Sequence, residues 1–193
     1  LGLTTIPASF LGKVTRVSSS IGETRYTGFD AVGRITSSEQ VVDGTTYQMP
    51  SYSYNLASAL VSQTYPSGRV IQNDYDDGGK LSIVTGQTPN QAAITYASNF
   101  DYTLTDSGAT SRVQLGNGRW ESVVYNKRLQ PTLIGLGTNQ NGTELMKLEY
   151  DYGTTNNNGN VHSQTITAPT AGSSAGFTAV QSYGYDNLNR LIS

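Results

Sequence analysis

One phrase recurs along this chain and limits what it can fold into. It reads aromatic residue, Asp or Asn, short turn, Gly-Arg or Asn-Arg, then an aliphatic residue. The fullest copy is Tyr183-Gly184-Tyr185-Asp186-Asn187-Leu188-Asn189-Arg190-Leu191. Two more are Tyr26-Thr27-Gly28-Phe29-Asp30-Ala31-Val32-Gly33-Arg34-Ile35 and Tyr75-Asp76-Asp77-Gly78-Gly79-Lys80-Leu81. Shorter echoes are Tyr52-Ser53-Tyr54-Asn55, Tyr65-Pro66-Ser67-Gly68-Arg69-Val70 and Tyr125-Asn126-Lys127-Arg128-Leu129. Units thus begin near 26, 52, 75, 96, 125, 150 and 183, with Tyr150 and Tyr152 marking the sixth. Self-similarity at a period of roughly 20–30 residues marks a repeat architecture, in which each unit completes its neighbour's packing.

Between the glycines, Thr, Val, Ile and Tyr dominate, the types that suit a pleated, half-buried strand. Period-2 alternation is visible in 13–17, 119–125 and 147–152. The pairs Asn117-Gly118, Asn141-Gly142 and Asn158-Gly159 are strong hairpin signals, and Asp43-Gly44 and Ser67-Gly68 add further turns. Leu56 and Leu60 stand four apart, as a helix would place them, but they sit inside a degenerate repeat where strand and turn are expected. The stretch 168–176 reads as a long loop between two hairpins. The expectation is an all-β chain over 1–193, a single repeat segment of consecutive antiparallel β-hairpins forming a curved or spiralling sheet.

Each position of the phrase has a physical role. The Tyr or Phe ends a strand and offers a large ring with a polar tip, so rings of successive units are expected to stack into a ladder. The Asp or Asn that follows accepts backbone N–H bonds and closes the turn. Gly33, Gly68 and Gly79 supply a residue tolerant of positive φ, as a bulged hairpin requires. Arg34, Arg69, Lys80, Arg128 and Arg190 can lie along a neighbouring ring while their charge stays in water. Ile35, Leu81, Leu129 and Leu191 start the next strand facing inward.

These residues resemble the YD-repeat, or RHS-repeat, of bacterial Rhs and insecticidal toxin-complex proteins and of the animal teneurins. The likeness runs from about Tyr26 to Leu191, with 65–70 and 115–119 as variants of the phrase. It implies a long β-strip that spirals into a hollow shell. In the toxins such a shell encloses an effector polypeptide, and in teneurins it scaffolds cell-surface contacts. A chain of 193 residues would supply part of a wall. The family's boundary segment linked with self-cleavage contains Asp-Pro, and no Asp-Pro occurs here, so no catalytic role carries over.

Composition narrows the function classes. Only 13% of residues are charged, against about 25% in average globular proteins. Net charge is -2 with no basic cluster, so neither nucleic acid nor an acidic membrane is an expected partner. There is no cysteine, which excludes disulfides and thiolate metal sites. No apolar run is long enough to span a bilayer. His162 has no Gly-x-Ser-x-Gly elbow to serve and reads as structural or exposed. Asp74, Asp76 and Asp77 come nearest to a calcium loop, yet Gly78 and Thr85 stand where ligands would be needed. Glu121, Glu144, Glu149, Asp101 and Asp106 single out no glycosidase pair. The sequon Asn141-Gly142-Thr143 reads as a hairpin tip.

The expectation is therefore a non-enzymatic, cofactor-free, metal-free wall element of a secreted or cell-surface bacterial shell. The chain stops inside its best repeat, as a piece of a longer polypeptide would. Its partners would be the rest of that shell, an enclosed polypeptide, or further copies joined through open sheet edges. The alternative is an extracellular adhesin, glycan- or protein-directed, or a self-assembling filament subunit.

Overall fold

The computed structural model describes residues 8–102, 108–155, 157–170 and 172–192. No α-helix occurs among them. The chain forms two compact units, Leu1–Thr95 and Tyr96–Ser193.

The first unit opens with a 3-10 turn, Ala8–Phe10, followed by β1 (Arg16–Ser18), β2 (Gly22–Phe29), β3 (Ile35–Val42) and β4 (Thr45–Met49), which hydrogen-bond in chain order as one antiparallel sheet. Next come β5 (Ser51–Tyr54), β6 (Leu60–Thr64), β7 (Val70–Tyr75) and β8 (Leu81–Gln87), again antiparallel and in chain order. Pro50 marks the change of partner. Met49 still pairs with Ser38 of β3, while Ser51 already pairs with Thr64 of β6. Proline lacks the N–H that an unbroken ladder would need at that point.

The second unit is a meander of β9 (Ile94–Tyr102), β10 (Thr110–Leu115), β11 (Trp120–Tyr125), β12 (Pro131–Gly137), β13 (Met146–Asp151), β14 (Ser163–Ala168) and β15 (Phe177–Ser182). Every strand pairs antiparallel with its chain neighbour, so the all-β hairpin architecture read from the sequence is the one observed. Residues 56–60 are a turn and a strand start, not a helix. The 168–176 stretch connects β14 to β15.

Register separates the two faces of each sheet. In the second unit Val123, Ile134, Leu148, Ile166 and Ala179 lie directly opposite one another across five strands, an unbroken apolar row. The other face carries Ser122, Lys147, Glu149, Thr165 and Thr167. In β5–β8 the contrast repeats: Tyr52, Gln63 and Ile71 form a row on one side, and Ser51, Ser53, Ser62, Thr64, Gln72 and Thr85 lie on the other.

Within each unit the described residues form no second layer over either face. Among the described residues Tyr152, at 9% exposed, is the one apolar side chain that counts as buried, and no large side chain is fully enclosed. The chain exposes 12845 Å² for 20.7 kDa. A compact protein of that mass would expose ~8,900 Å², and two separate globules of half the mass ~10,700 Å². The excess over both is what single-layered sheets produce.

Candidate functional site

The repeated phrase builds one local structure wherever it occurs. At Asp30, Asn55, Tyr65, Asp76, Leu115, Asn126 and Asp186, the residue's N–H donates to the carbonyl four residues on. Its own carbonyl accepts from the N–H three residues on. That third residue has positive φ every time: Gly33 (88°), Ser58 (65°), Gly68 (77°), Gly79 (75°), Gly118 (80°), Leu129 (60°) and Asn189 (58°). This is the three-residue bulged hairpin, a tight turn followed by a left-handed residue.

The acidic or amide side chain adds a second closure. Asp30 Oδ1 accepts the N–H groups of Val32 (3.0 Å) and Arg34 (2.8 Å), and its Oδ2 accepts Arg34 Nε at 2.6 Å. Asp186 does the same for Leu188, Arg190 and Arg190 Nε. Partial burial pushes the Asp30 carboxyl up, but the bonds and charge of Arg34 outweigh it and the net shift is downward. At Asp186 the backbone and guanidinium of Arg190 lower it, with burial opposing. Asp76 closes on the Lys80 N–H at 2.8 Å, and Asn126 on the N–H groups of Arg128 and Gln130.

Tyr65 and Leu115 depart from the expected alignment. Both occupy the position that Asp or Asn fills elsewhere, so Tyr65 is not the aromatic of its unit. The residues before them, Thr64 and Gln114, pair with Val70 and Trp120 just as Tyr75 pairs with Leu81. Because successive hairpins alternate sides, the turns at Asn55 and Asp76 share one sheet edge and the turn at Tyr65 lies on the opposite edge. In the second unit Asn126 and Asp186 likewise lie opposite Leu115.

On the aromatic edge each tyrosine reaches the strand beside its own. Tyr54 Oη donates to the Ile35 carbonyl (2.8 Å) and Tyr75 Oη to Leu60 (2.8 Å). Tyr125 donates to Thr110 (2.9 Å), Tyr152 to Pro131 (3.1 Å) and Tyr185 to Val161 (3.1 Å). The expected ladder of stacked rings is thus a ladder of phenol-to-carbonyl bonds: the strand between two tyrosines holds their rings apart. Ring pairs occur elsewhere, between Phe10 and Phe29 (5.0 Å, edge-on), Tyr26 and Phe29 (6.4 Å), and Phe100 and Tyr102 (6.3 Å). Tyr150 and Tyr183 both bond to Gln164. Tyr102, paired with Thr110, holds the phrase position in β9; the turn after it lies outside the described residues.

Polar straps join three of the turns to the next on the same edge. The Arg34 guanidinium lies 4.9 Å from the centre of the Tyr54 ring and bonds the Asn55 carbonyl (2.9 Å) and Ser58 Oγ (3.2 Å). Arg128 reaches the Asn157 carbonyl, and Gln130 exchanges two amide bonds with Asn157. Asn158 and Asn160 both donate to Asn189 Oδ1. Arg190 makes the intra-turn ion pair of Arg34, yet its side chain is 74% exposed where that of Arg34 is 28%.

The other sequence candidates do not converge. His162 is exposed, its backbone tied to Asp151 and Tyr183. Asp74 stands on β7 opposite Ile83 while Asp76 closes its turn. Among the described residues no three His, Asp or Glu side chains gather as metal ligands. Glu149 pairs with Lys147, Asp101 with Arg112, and Asp106 lies outside the described residues. Asn141 sits in a loop folded back on β12, where Gly137 and Gly142 pack backbone to backbone. Glu144 fastens that loop by accepting from the Thr138 N–H and hydroxyl. Those bonds pull its carboxyl down to about 2.

No family model matches the sequence, and no curated protein matches it. Solved structures do match in fold. The chain is similar to the crystal structure of TcdB2-TccC3-Cdc42, with a TM-score of 0.71 and 20% identity over 94% of this chain. It is similar to the Photorhabdus luminescens Tc holotoxin pore carrying a TccC3 mutation, at 0.73 and 20% over 94%. It also matches TcdB2-TccC3 without the hypervariable C-terminal region, at 0.70 and 20% over 94%. The chain spans 9% of the length of each of those chains.

Proposed function

We propose that this chain is a structural wall segment of a secreted or delivered β-shell of the toxin-complex kind, without catalytic activity of its own. The observation that carries the reading is the single-layered sheet, which exposes 12845 Å² and leaves an apolar row across five strands without a covering layer. A sheet that orders itself through edge turns, phenol bonds and straps needs no second layer to hold its shape. That is what a wall requires, and what a self-contained globular enzyme lacks. The fold likeness to Tc toxin components points the same way. In this reading the repeat residues Tyr54, Tyr75, Tyr125, Tyr152 and Tyr185 and the turn residues beside them are structural, and the partners are the adjoining wall or an enclosed polypeptide.

The test is the assembly state in solution, by light scattering coupled to size exclusion, with electron microscopy of the same sample. Closed oligomers or filaments built edge to edge are the expected outcome. A stable compact monomer whose outermost strands are protected from amide exchange, with its own edges sealed, would overturn the wall reading and favour a self-contained binding module.

A further inference from the structure

The face opposite the apolar row holds the chain's one tryptophan, and its surroundings have a chemistry that the wall does not need. Trp120 pairs across the ladder with Gln114 on one side and Gly137 on the other. With Asn99, Phe100, Asp101, Arg112 and Gln140 it lines a shallow recess of about 350 Å³. Arg112 is ion-paired to Asp101 at 2.7 Å and donates to Gln140 Oε1 at 3.4 Å. Asn99 Nδ2 donates to Gln114 Oε1 at 2.6 Å. Asn99 and Gln140 are exposed, and the Asp101 carboxylate is half exposed.

The backbone is specially shaped at this place. Between the pairs Arg112↔Asp101 and Gln114↔Ser98 the register slips, so β9 carries an extra residue there. Asn99 takes φ 52° in the middle of that strand, a left-handed conformation that asparagine adopts more readily than other non-glycine residues. Bulges of this kind re-aim side chains and are over-represented next to functional sites. The β12–β13 loop reaches the same recess because Gly137 and Gly142 let it lie flat on the sheet, and it brings Gln140 to the recess wall.

We propose that this recess binds a neutral hexopyranose, with the C–H face of the sugar on the indole of Trp120 and its hydroxyls on Asp101, Asn99 and Gln140. The electron-rich ring face attracts the weakly positive C–H groups of a sugar. A carboxylate accepts two hydroxyl bonds, and side-chain amides both donate and accept, which suits a ligand whose hydroxyls do the same. The Asp101–Arg112 pair cancels in charge, so the site favours an uncharged sugar over a uronic or sialic acid. The volume falls in the lower part of the range for small-ligand sites, about 300–1,000 Å³, which suits one sugar ring. This inference does not depend on the wall reading.

The lone tryptophan makes the test direct. The full chain is titrated with methyl galactopyranoside, methyl glucopyranoside and sodium glucuronate while its emission is followed, and saturation-transfer NMR reports the ligand side independently. Expected is a saturable change with one neutral glycoside in about the millimolar range, the weak affinity usual for one small ligand in an open recess. Asp101→Asn and Gln140→Ala should each weaken it about tenfold with unchanged circular dichroism. Trp120→Phe, read by NMR, should keep weak binding and Trp120→Ala none. No response to either neutral glycoside, preference for glucuronate, or binding indifferent to the Asp101 and Gln140 variants would each overturn the proposal. If Asp101→Asn unfolds the chain, Gln140→Ala, on an exposed loop, decides alone.

Discussion

Leu129 is a large residue in a backbone conformation that glycine usually fills, with φ 60° at the turn position where Gly33, Gly68, Gly79 and Gly118 stand elsewhere. Its side chain is 36% exposed, so Leu129→Gly trades relief of backbone strain against the loss of a largely covered side chain. The terms nearly cancel: strain relieved is set against lost packing and the entropy a glycine adds to the unfolded chain, and the expected change in urea unfolding is within about 0.5 kcal/mol. At Gly33, φ 88°, the change runs the other way: Gly33→Val should cost about 2 kcal/mol or more, and Ala31→Val, exposed in the same turn, less than about 0.5 kcal/mol. Tyr152→Phe keeps the buried ring and deletes the bond to the Pro131 carbonyl, an expected loss of about 1 kcal/mol by the same measurement. The glycines were readable because their role is written in residue type. Leu129, Ser58 and Tyr65 were not, since Leu and Ser do not favour positive φ, Tyr does not ordinarily close a turn, and only the register of the phrase places them.

Among elements, the hairpin is the unit and the strap is what couples one hairpin to the next. Arg34→Lys keeps the charge but loses the planar fork that holds Asp30, Asn55 and the Tyr54 ring together. It should lower the melting temperature by more than Arg190→Lys, whose guanidinium among the described residues meets its own Asp186 alone. Equal losses would mean that the strap contributes nothing beyond the turn. The β12–β13 loop offers a pH test. Glu144 is held to about 2 against an ordinary 4.5, so its closure of the loop is complete above 4.5 and is lost as pH falls towards 2. The protection of the Thr138 amide, taken relative to its intrinsic exchange rate at each pH, should fall across that window, and in Glu144→Gln it should no longer vary there. Strand positions and turn chemistry were legible from alternation and Asn-Gly pairs. The straps and the tryptophan recess were not: Asn99, Asp101, Arg112, Trp120 and Gln140 come from separate segments, and only the singular tryptophan hinted at a place worth finding.

For the molecule as a whole, exposure sets the thermodynamics. Its unfolded chain would expose ~30,000 Å², so unfolding uncovers roughly a fifth less new surface than for a compact protein of equal mass. The urea slope of the monomer should be smaller in that proportion, since the slope follows area exposed. A slope typical of a compact protein would mean that the apolar row is covered in solution. The laced edge also has a bearing on how such chains change length over evolutionary time. Tyrosine rungs and straps connect turns of one edge, and two strands separate one such turn from the next. Adding or losing a pair of strands leaves every remaining rung with its carbonyl and every strap with its turn. Adding or losing a single strand would move all later aromatic turns to the wrong margin. Viable relatives should therefore differ by even numbers of strands, and a gene encoding such a chain can be lengthened by duplication only in whole double steps.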